Sequence, residues 1–458
     1  MFSKQTYIDR RRQLKESVGS GILLFLGNQE APCNFADNGY RYRQDSTFMY
    51  YFDQPYAGLN AIIDIDNDRE IIFGDELSID YIVWMGNQPT IHEKAAAVGV
   101  SETMPANKLK DYLDQARAKG RTIHYLPPYR NQHRLALLDL MDIRPGSETP
   151  SVEFIKAVVD MRNHKTPEEI KLIEHACDVT SDMHLEAMRI VRPGMKEYEV
   201  LAAVEAVAMA NNCYTSFPTI ATTHGQTLHN FIHSHTINEG DMFLLDAGAE
   251  LADSYYCGDM SSTIPAGKKF SDRQKAIYDI QVAAHQASVD ALRPGIRFEE
   301  IYDISARTTF EGLKALGLTK GDPCEAVAAG AHALFYPTGL GHMMGMDDHD
   351  MENLGEVWVG YAGKPKSTQF GRKSLRLARE LEPGFVLTIE PGVYFIPELI
   401  DLWKSQHHLA DFINYDEVDR WRDTGGVRNE ENFLITPDGK RRLGKRIPLT
   451  TDEVEALR

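Results

Sequence analysis

Cysteine is scarce. The 458 residues hold five (Cys33, Cys177, Cys213, Cys257, Cys324), an odd number, widely scattered and without a C-x-x-C pair. A disulfide framework is excluded and a zinc knuckle unsupported, so each reads as a small buried apolar residue. Positive charge is also short: Lys+Arg 49 against Asp+Glu 67 leaves a net charge of −18. General binders of nucleic acid or of anionic membrane need a positive field, so neither partner is expected. No apolar run approaches bilayer length; the longest near the N-terminus is Ile22–Leu26, and nothing before it resembles the apolar core of a signal peptide. The default expectation is a cytoplasmic protein. Low-complexity segments, repeats of solenoid period, G-x-G-x-x-G and Walker sequences are missing too, which removes support for a nucleotide site.

What is present is ordinary globular composition, 43% hydrophobic and 25% charged with Gly 34 and Pro 21, in a length that suits about two to three domains. Gly21 to Gly74 reads as strands and turns (GILLFLG, FMYYFD, AIIDID, EIIFGD). Helical stretches follow as far as Leu126-Pro127-Pro128 and Arg144-Pro145-Gly146, giving a mixed α/β amino-terminal domain. Thr166-Pro167-Glu168-Glu169 combines an N-cap, a proline at the first helical position and a glutamate at the third. The boundary is placed near 155–165, with domains over 1–160 and 161–458. Beyond it, amphipathic helices at about Pro167–Ile190, Glu197–Ala210 and Asp272–Ala291 interleave with the strand-like runs MFLLDAGAEL, FVLTIE and VRNEENFLIT. That is an α+β pattern.

Chemistry concentrates in Asp241–Pro265, where one apolar strand carries Asp246 and a second carries Asp259. Read as a hairpin with Asp246 opposite Asp259, the turn centres on Ala252-Asp253. Like charges opposite one another on a ladder repel, and apolar surroundings argue against casual surface groups, so a cation is expected between them. Two solvated aspartates at strand ends are the competing reading. Pro337–Asp350 places His342 and His349 on a glycine-rich acidic stretch, although a histidine among methionines is often a satisfied core residue. Glu390 ends FVLTIE before Pro391-Gly392, and Glu430 follows a glycine pair in GGVRNEENFLIT; each alone could be an edge-strand charge. Together, two Asp, one His and two Glu form an oxygen-rich set suited to a pair of Mn²⁺, Co²⁺ or Fe²⁺ ions ~3.5–4 Å apart. That is hydrolytic equipment. His224, His233 and His235 could mimic a metal cluster, but no companion cysteine or H-E-x-x-H spacing supports a separate zinc site.

The stretches LHN at 228–230, LLDAG at 244–248, GDMSSTIP at 258–265, GLGHMMGMDDHD at 339–350, LEPGFVLTIEPGVYF at 381–395 and GGVRNEE at 425–431 together resemble the proline-specific metallopeptidases, aminopeptidase P and prolidase, of the pita-bread fold. RYRQDSTFMYYFD at 41–53 resembles the signature of their amino-terminal domain. The resemblance implies a pita-bread catalytic domain behind a smaller α/β domain. It also implies two divalent ions, Mn²⁺ first with Co²⁺, Fe²⁺ or Zn²⁺ as alternatives. By the resemblance Asp246 chelates one ion, Asp259 and Glu430 bridge both, and His342 and Glu390 bind the second, with Glu390 also moving the proton. His229 and His349 match histidines that meet the substrate or its tetrahedral intermediate, and Arg428 matches an arginine that supports the carboxylates. The implied activity is hydrolysis of the Xaa-Pro bond at the N-terminus of proline-containing peptides, and the implied assembly a homodimer.

Arg376 stands where dipeptidases grip the substrate carboxylate, and the insertion Pro397–Thr424 also looks dipeptidase-like. A helix-face arginine is the alternative for Arg376. An Xaa-Pro dipeptidase therefore stays open beside the aminopeptidase, as does a metal-free peptide-binding member of the fold. Two positions depart from the family pattern: Thr338 stands where a further histidine is frequent, and Asp348 where a small apolar residue is usual.

Overall fold

The computed structural model describes residues 2–458. The chain forms two compact units, Met1–Met161 with Asn353–Gly355, and Arg162–Glu352 with Glu356–Arg458. In the first, strands β1 (Ile22–Leu26), β2 (Asn60–Asp64), β3 (Arg69–Phe73), β4 (Glu102–Met104) and β5 (Ile123–Tyr125) make one sheet in the order β4-β3-β2-β1-β5. Its middle is antiparallel and its two edge pairings are parallel. A parallel neighbour needs a crossover, and the β3-to-β4 connection passes through the helices Ile79–Met85 and Ile91–Ala97. Leu24, Ile62, Ile71 and Phe73 pack with Leu109, Leu113 and Leu137 in the core of this unit.

FMYYFD, expected as a strand, is instead the body and left-handed C-cap, Asp53, of a helix over Ser46–Phe52, whose N-cap Asp45 accepts from the amide of Phe48. Every residue of that helix is buried. A short apolar run enclosed on all sides has no periodicity to separate helix from strand, and the aspartate at its start is the signal that decides.

In the second unit the helices Pro167–Ile190, Glu197–Ala210 and Asp272–Ala291 lie where the apolar periodicity puts them, the first closed by the Thr166/Glu169 capping box. They pack around short strands: β6 (Cys213–Thr215), β7 (Ile220–Thr222), β8 (Met242–Ala247), β9 (Ala249–Leu251), β10 (Met260–Pro265), β11 (Val386–Ile389), β12 (Gly392–Tyr394), β13 (Gly426–Arg428), β14 (Glu431–Thr436) and β15 (Gly439–Arg442). These form two three-stranded ladders, β10-β8-β7 and β11-β14-β15, and two pairs, β12-β13 and β6-β9.

The hairpin register differs from the expected one. Asp246 faces Ser261 and Ala247 faces Met260, with the bridge Glu250 to Cys257 continuing the same ladder toward the turn. Asp259 therefore sits just before β10, two positions along from the residue opposite Asp246. A slip of two preserves the face, because side chains alternate with period two, so both carboxylates still project to the same side as diagonal neighbours. Directly opposed like charges are thereby avoided.

All five cysteines are free; Cys177, Cys213 and Cys257 are buried, while Cys33 and Cys324 are exposed, against the expectation of burial for all. No described helix is long and apolar enough to cross a membrane.

His285 sits in the core of this unit with neither ring nitrogen hydrogen-bonded, and burial pushes its pKa down to about 4. The unfolded chain, with an ordinary histidine, binds a proton between pH ~6.5 and that value while the folded chain does not, so stability rises with pH across the window and is lost as pH falls through it. Urea midpoints measured from pH 7 to pH 4 should show the His285→Leu variant losing up to one proton of this dependence, about 1.4 kcal/mol per pH unit. Parallel curves for the two proteins would reject a neutral buried imidazole.

Candidate active site at the strand ends

Four backbone arrangements bring the acidic residues together. Gly258 lies hard against the helix Pro167–Ile190: a Cβ there would come within 2.6 Å of Thr180 Oγ1 and 2.8 Å of the Cys177 amide. The next residue, Asp259, is fixed by its amide donating to Asn432 Oδ1 at 3.1 Å. Gly341 approaches β11 so closely that a Cβ would meet the Thr388 carbonyl at 2.1 Å. That contact lets 340–344 run as an extra rung row along 386–390, with Glu390 N donating to Leu340 O at 2.8 Å and Thr388 N to His342 O at 3.0 Å. His342 and Glu390 become neighbours in consequence. Finally, Glu430 N donates to Ser261 O at 2.9 Å, which lays the β13–β14 link beside β10.

His342 Nε2 lies 3.2 Å from Asp259 Oδ2 and 3.6 Å from Glu390 Oε1, with its Nδ1 3.1 Å from the Met343 carbonyl. Ligand atoms of Asp259, His342 and Glu430 fall within 4.8 Å of one another. Arg428, buried, donates from Nη2 to Asp246 Oδ2 at 2.6 Å, from Nε to Ser261 Oγ at 2.9 Å and from Nη1 to Tyr394 Oη at 2.8 Å. Ser261 in turn donates to Glu430 Oε2 at 2.8 Å. Ser261 and Tyr394 escaped the sequence reading. Both lie inside quoted motifs, but an uncharged hydroxyl carries no compositional signal.

Electrostatics show what the cluster requires. Burial raises Asp246 to about 6, Arg428 pulling it back and Asp259 adding to the rise. Burial likewise lifts Glu390 to about 7, against His342 and with Asp259, and drives Glu430 well above the usual carboxylate range, with Asp259 and Glu390 adding. His342 moves the other way from a buried imidazole, up to about 10, because contact with Asp259 and the charges of Asp348 and Glu390 together outweigh a large desolvation; against its own burial, His342 holds Asp259 low. Carboxylates crowded in low dielectric demand positive charge. Asp259 Oδ1 and Glu430 Oε1 are buried without any hydrogen-bond donor, a costly state for a carboxylate. Oxygen donors with one imidazole, two of them unpartnered, fit hard divalent cations.

These groups form one wall of a cavity of about 470 Å³ that is also lined by His229, His349, Arg376, Thr338 and Asp348. His349 stacks on His342 with ring centres 3.8 Å apart and planes at 16°, and its Nδ1 lies 3.0 Å from Glu352 Oε1. Burial, then His342, lowers its pKa. His229 is more open, and burial followed by Arg428 and Arg376 lowers it too. Arg376 is engaged through Nη1 by Glu352 at 2.7 Å and Glu356 at 3.2 Å. Asp348 is pushed well up, by burial first and the charge of Asp259 second, and adds a carboxyl to the cavity. Thr338 contributes a buried hydroxyl without a partner. All nine side chains singled out from the sequence, Asp246, Asp259, His342, Glu390, Glu430, His229, His349, Arg376 and Arg428, thus border one cavity.

Comparison with known proteins agrees at every level. A family model, metallopeptidase family M24, matches residues 171–437, and a second, the aminopeptidase P N-terminal domain, matches residues 7–124. Among curated proteins, a human Xaa-Pro dipeptidase is 29% identical over 99% of this chain and 92% of its own length. An Escherichia coli Xaa-Pro aminopeptidase is 29% identical over 99% and 98%. Among solved structures, an aminopeptidase of Pseudomonas aeruginosa superposes with a TM-score of 0.82 at 27% identity, covering 100% of this chain and 98% of that one. Proline aminopeptidase P II of Yersinia pestis does so with a TM-score of 0.82 at 26% identity, covering 100% and 99%. The expected architecture, a mixed α/β domain ahead of an α+β pita-bread catalytic domain, is the one shared with these structures. A family match across more than half of the chain, with its amino-terminal companion domain in front, establishes that this chain belongs to metallopeptidase family M24.

Proposed function

We propose that this chain is a dinuclear-metal exopeptidase hydrolysing the Xaa-Pro bond at the N-terminus of peptides, an Xaa-Pro aminopeptidase. The observation that carries it is the convergence of Asp246, Asp259, His342, Glu390 and Glu430 on one wall of a cavity. In this reading Asp246, Asp259, His342, Glu390 and Glu430 would hold a pair of divalent cations, Asp246 serving one, His342 and Glu390 the other and Asp259 and Glu430 both, with Mn²⁺ the preferred ion and Co²⁺, Fe²⁺ or Zn²⁺ alternatives. Such cations supply Lewis acidity and make water a nucleophile at neutral pH.

The protein's own groups do the rest. A peptide bond to proline is a tertiary amide without N–H, so its nitrogen leaves only when protonated. Glu390, a carboxylate facing the same cavity, would take a proton from the attacking water and return it to that nitrogen. Arg428, held by Ser261 and Tyr394, fixes Asp246 in place without donating a proton itself. His229 and His349 contact the substrate, the latter oriented by Glu352. The carboxylate-rich wall favours a cationic amino terminus, which selects the first peptide bond. A homodimer in the cytoplasm completes the proposal; it rests on the family resemblance and on the default compartment.

The dipeptidase reading keeps one observation in its favour: Arg376 borders the same cavity and could grip a product-side carboxylate. Two glutamates already engage it, which favours the aminopeptidase.

Chain purified at neutral pH should contain Mn, Co, Fe or Zn, or gain activity on Mn²⁺ addition; neither metal nor activity would remove the enzyme reading. Asp259→Asn, which deletes a charge but keeps the shape, should lower kcat by ~100-fold or more with an unchanged circular dichroism spectrum. Near-normal kcat in metal-replete buffer contradicts the bridging role. Assayed side by side, Gly-Pro, Ala-Pro and Ala-Pro-Phe should all be cleaved, the tripeptide at least as fast. Hydrolysis confined to the dipeptides would replace the aminopeptidase by the dipeptidase, and Arg376→Met should then raise KM for Ala-Pro.

A further inference from the structure

The segment between Thr223 and Thr236 borders two separate cavities. Leu228, His229 and Phe231 line the catalytic one, while Thr223, His224, His235 and Thr236 line another of about 670 Å³ that shares no residue with it. At this second cavity a carboxylate and two imidazoles converge. Glu197, the first residue of the helix Glu197–Ala210, is fully buried. Its Oε1 accepts from Thr223 N at 2.7 Å and Thr223 Oγ1 at 3.0 Å, and its Oε2 bonds Nδ1 of His235 at 2.8 Å. The ring of His224 lies 4.3 Å from that of His235, with Nδ1 3.2 Å from Thr223 Oγ1. One carboxylate oxygen of Glu197 and one ring nitrogen of each histidine lie within 4.8 Å of one another. His233 stays apart, its Nδ1 3.2 Å from the Ala221 carbonyl.

Neither a companion cysteine nor H-E-x-x-H spacing marks these histidines in the sequence, because the third member of the cluster comes from a helix 27 residues earlier than His224, brought in by the fold. A buried carboxylate that holds an imidazole by one nitrogen is the arrangement that orients metal-binding histidines. A second imidazole packed against the first, at the edge of a water-accessible cavity, supplies the chelate. The arginines on that cavity, Arg273 and Arg422, are offset by Asp423 at 2.6 Å and Asp401 at 2.9 Å, so they do not impose an anion site.

We propose that His224 and His235, the latter oriented by the buried Glu197 carboxylate, form a mononuclear site for a borderline divalent cation of the Zn²⁺ class, with water from the cavity completing the coordination. Two imidazoles backed by one carboxylate suit Zn²⁺, Ni²⁺ or Co²⁺ over Mg²⁺ or Ca²⁺, whereas the catalytic cluster is richer in carboxylates. A cation here ties both ends of the segment that carries His229 to the start of one helix. The site stands independently of the reaction proposed above.

His224 is exposed, so His224→Ala removes a ligand without opening the core and is the decisive variant. Full-length protein loaded with Mn²⁺ is equilibrated with Zn²⁺ and its metals counted by plasma mass spectrometry. Wild type should retain one more Zn²⁺ per chain than His224→Ala, whose affinity for that ion should fall at least ~10-fold; Asp259→Asn should keep the extra ion. Zn²⁺ should also slow amide exchange across 224–235 in wild type and not in His224→Ala. Equal Zn²⁺ content and affinity in wild type and His224→Ala, or equal protection of the segment in both, overturns the site.

Discussion

The mutual repulsion of carboxylates crowded into a poorly solvated wall is the constraint on which the catalytic unit is built. Asp246, Asp259, Glu390 and Glu430 come from four separate strand ends, and no two are brought together by chain proximity alone. Among the described residues, Arg428 and His342 answer their charge directly. A cluster of this kind does not stabilise a fold; burying it costs free energy unless cations or protons complete it. Its placement along the lining of a cavity marks it as functional equipment.

The surrounding structure is organised to hold that repulsion in place. Gly258 and Gly341 let backbones meet where any side chain would separate them, and the amides of Asp259, Glu390 and Glu430 are each committed to a partner from another strand or loop. Rigid backbone anchoring leaves the side chains as the adjustable parts. Arg428 is anchored in turn, with Ser261 and Tyr394 satisfying the nitrogens that Asp246 does not use. Thr338 adds a neutral hydroxyl to the cavity and Asp348 a further carboxyl whose pKa the charge of Asp259 helps to raise.

The segment around His229 illustrates how one loop can serve two chemistries. Its middle meets the catalytic cavity and its ends meet Glu197, so order at the helix start and the placement of His229 are mechanically linked. Donor type separates the two candidate cation sites: carboxylate-rich at the strand ends, imidazole-rich at the loop ends.

Much of this was legible before any coordinates. Capping boxes and apolar periodicity gave the long helices because those signals are local, and the ordered motifs gave the family and the nine cavity residues because chemistry restricts which residue types can hold metal. Local signals failed where burial erased periodicity, as in Ser46–Phe52, and where strand register is decided by the turn, as in the two-residue slip that sets Asp246 diagonal to Asp259. Neutral supports such as Ser261, Tyr394 and Asn432, and the pairing of Glu197 with two distant histidines, lay beyond reach for a further reason. Their roles exist only through contacts across more than two dozen to over a hundred residues of chain. The sequence by itself determined which side chains carry the chemistry; only the tertiary structure decided how close they stand and which charge each feels, because electrostatic energy depends on separation and solvent exclusion, neither of which is a property of residue order.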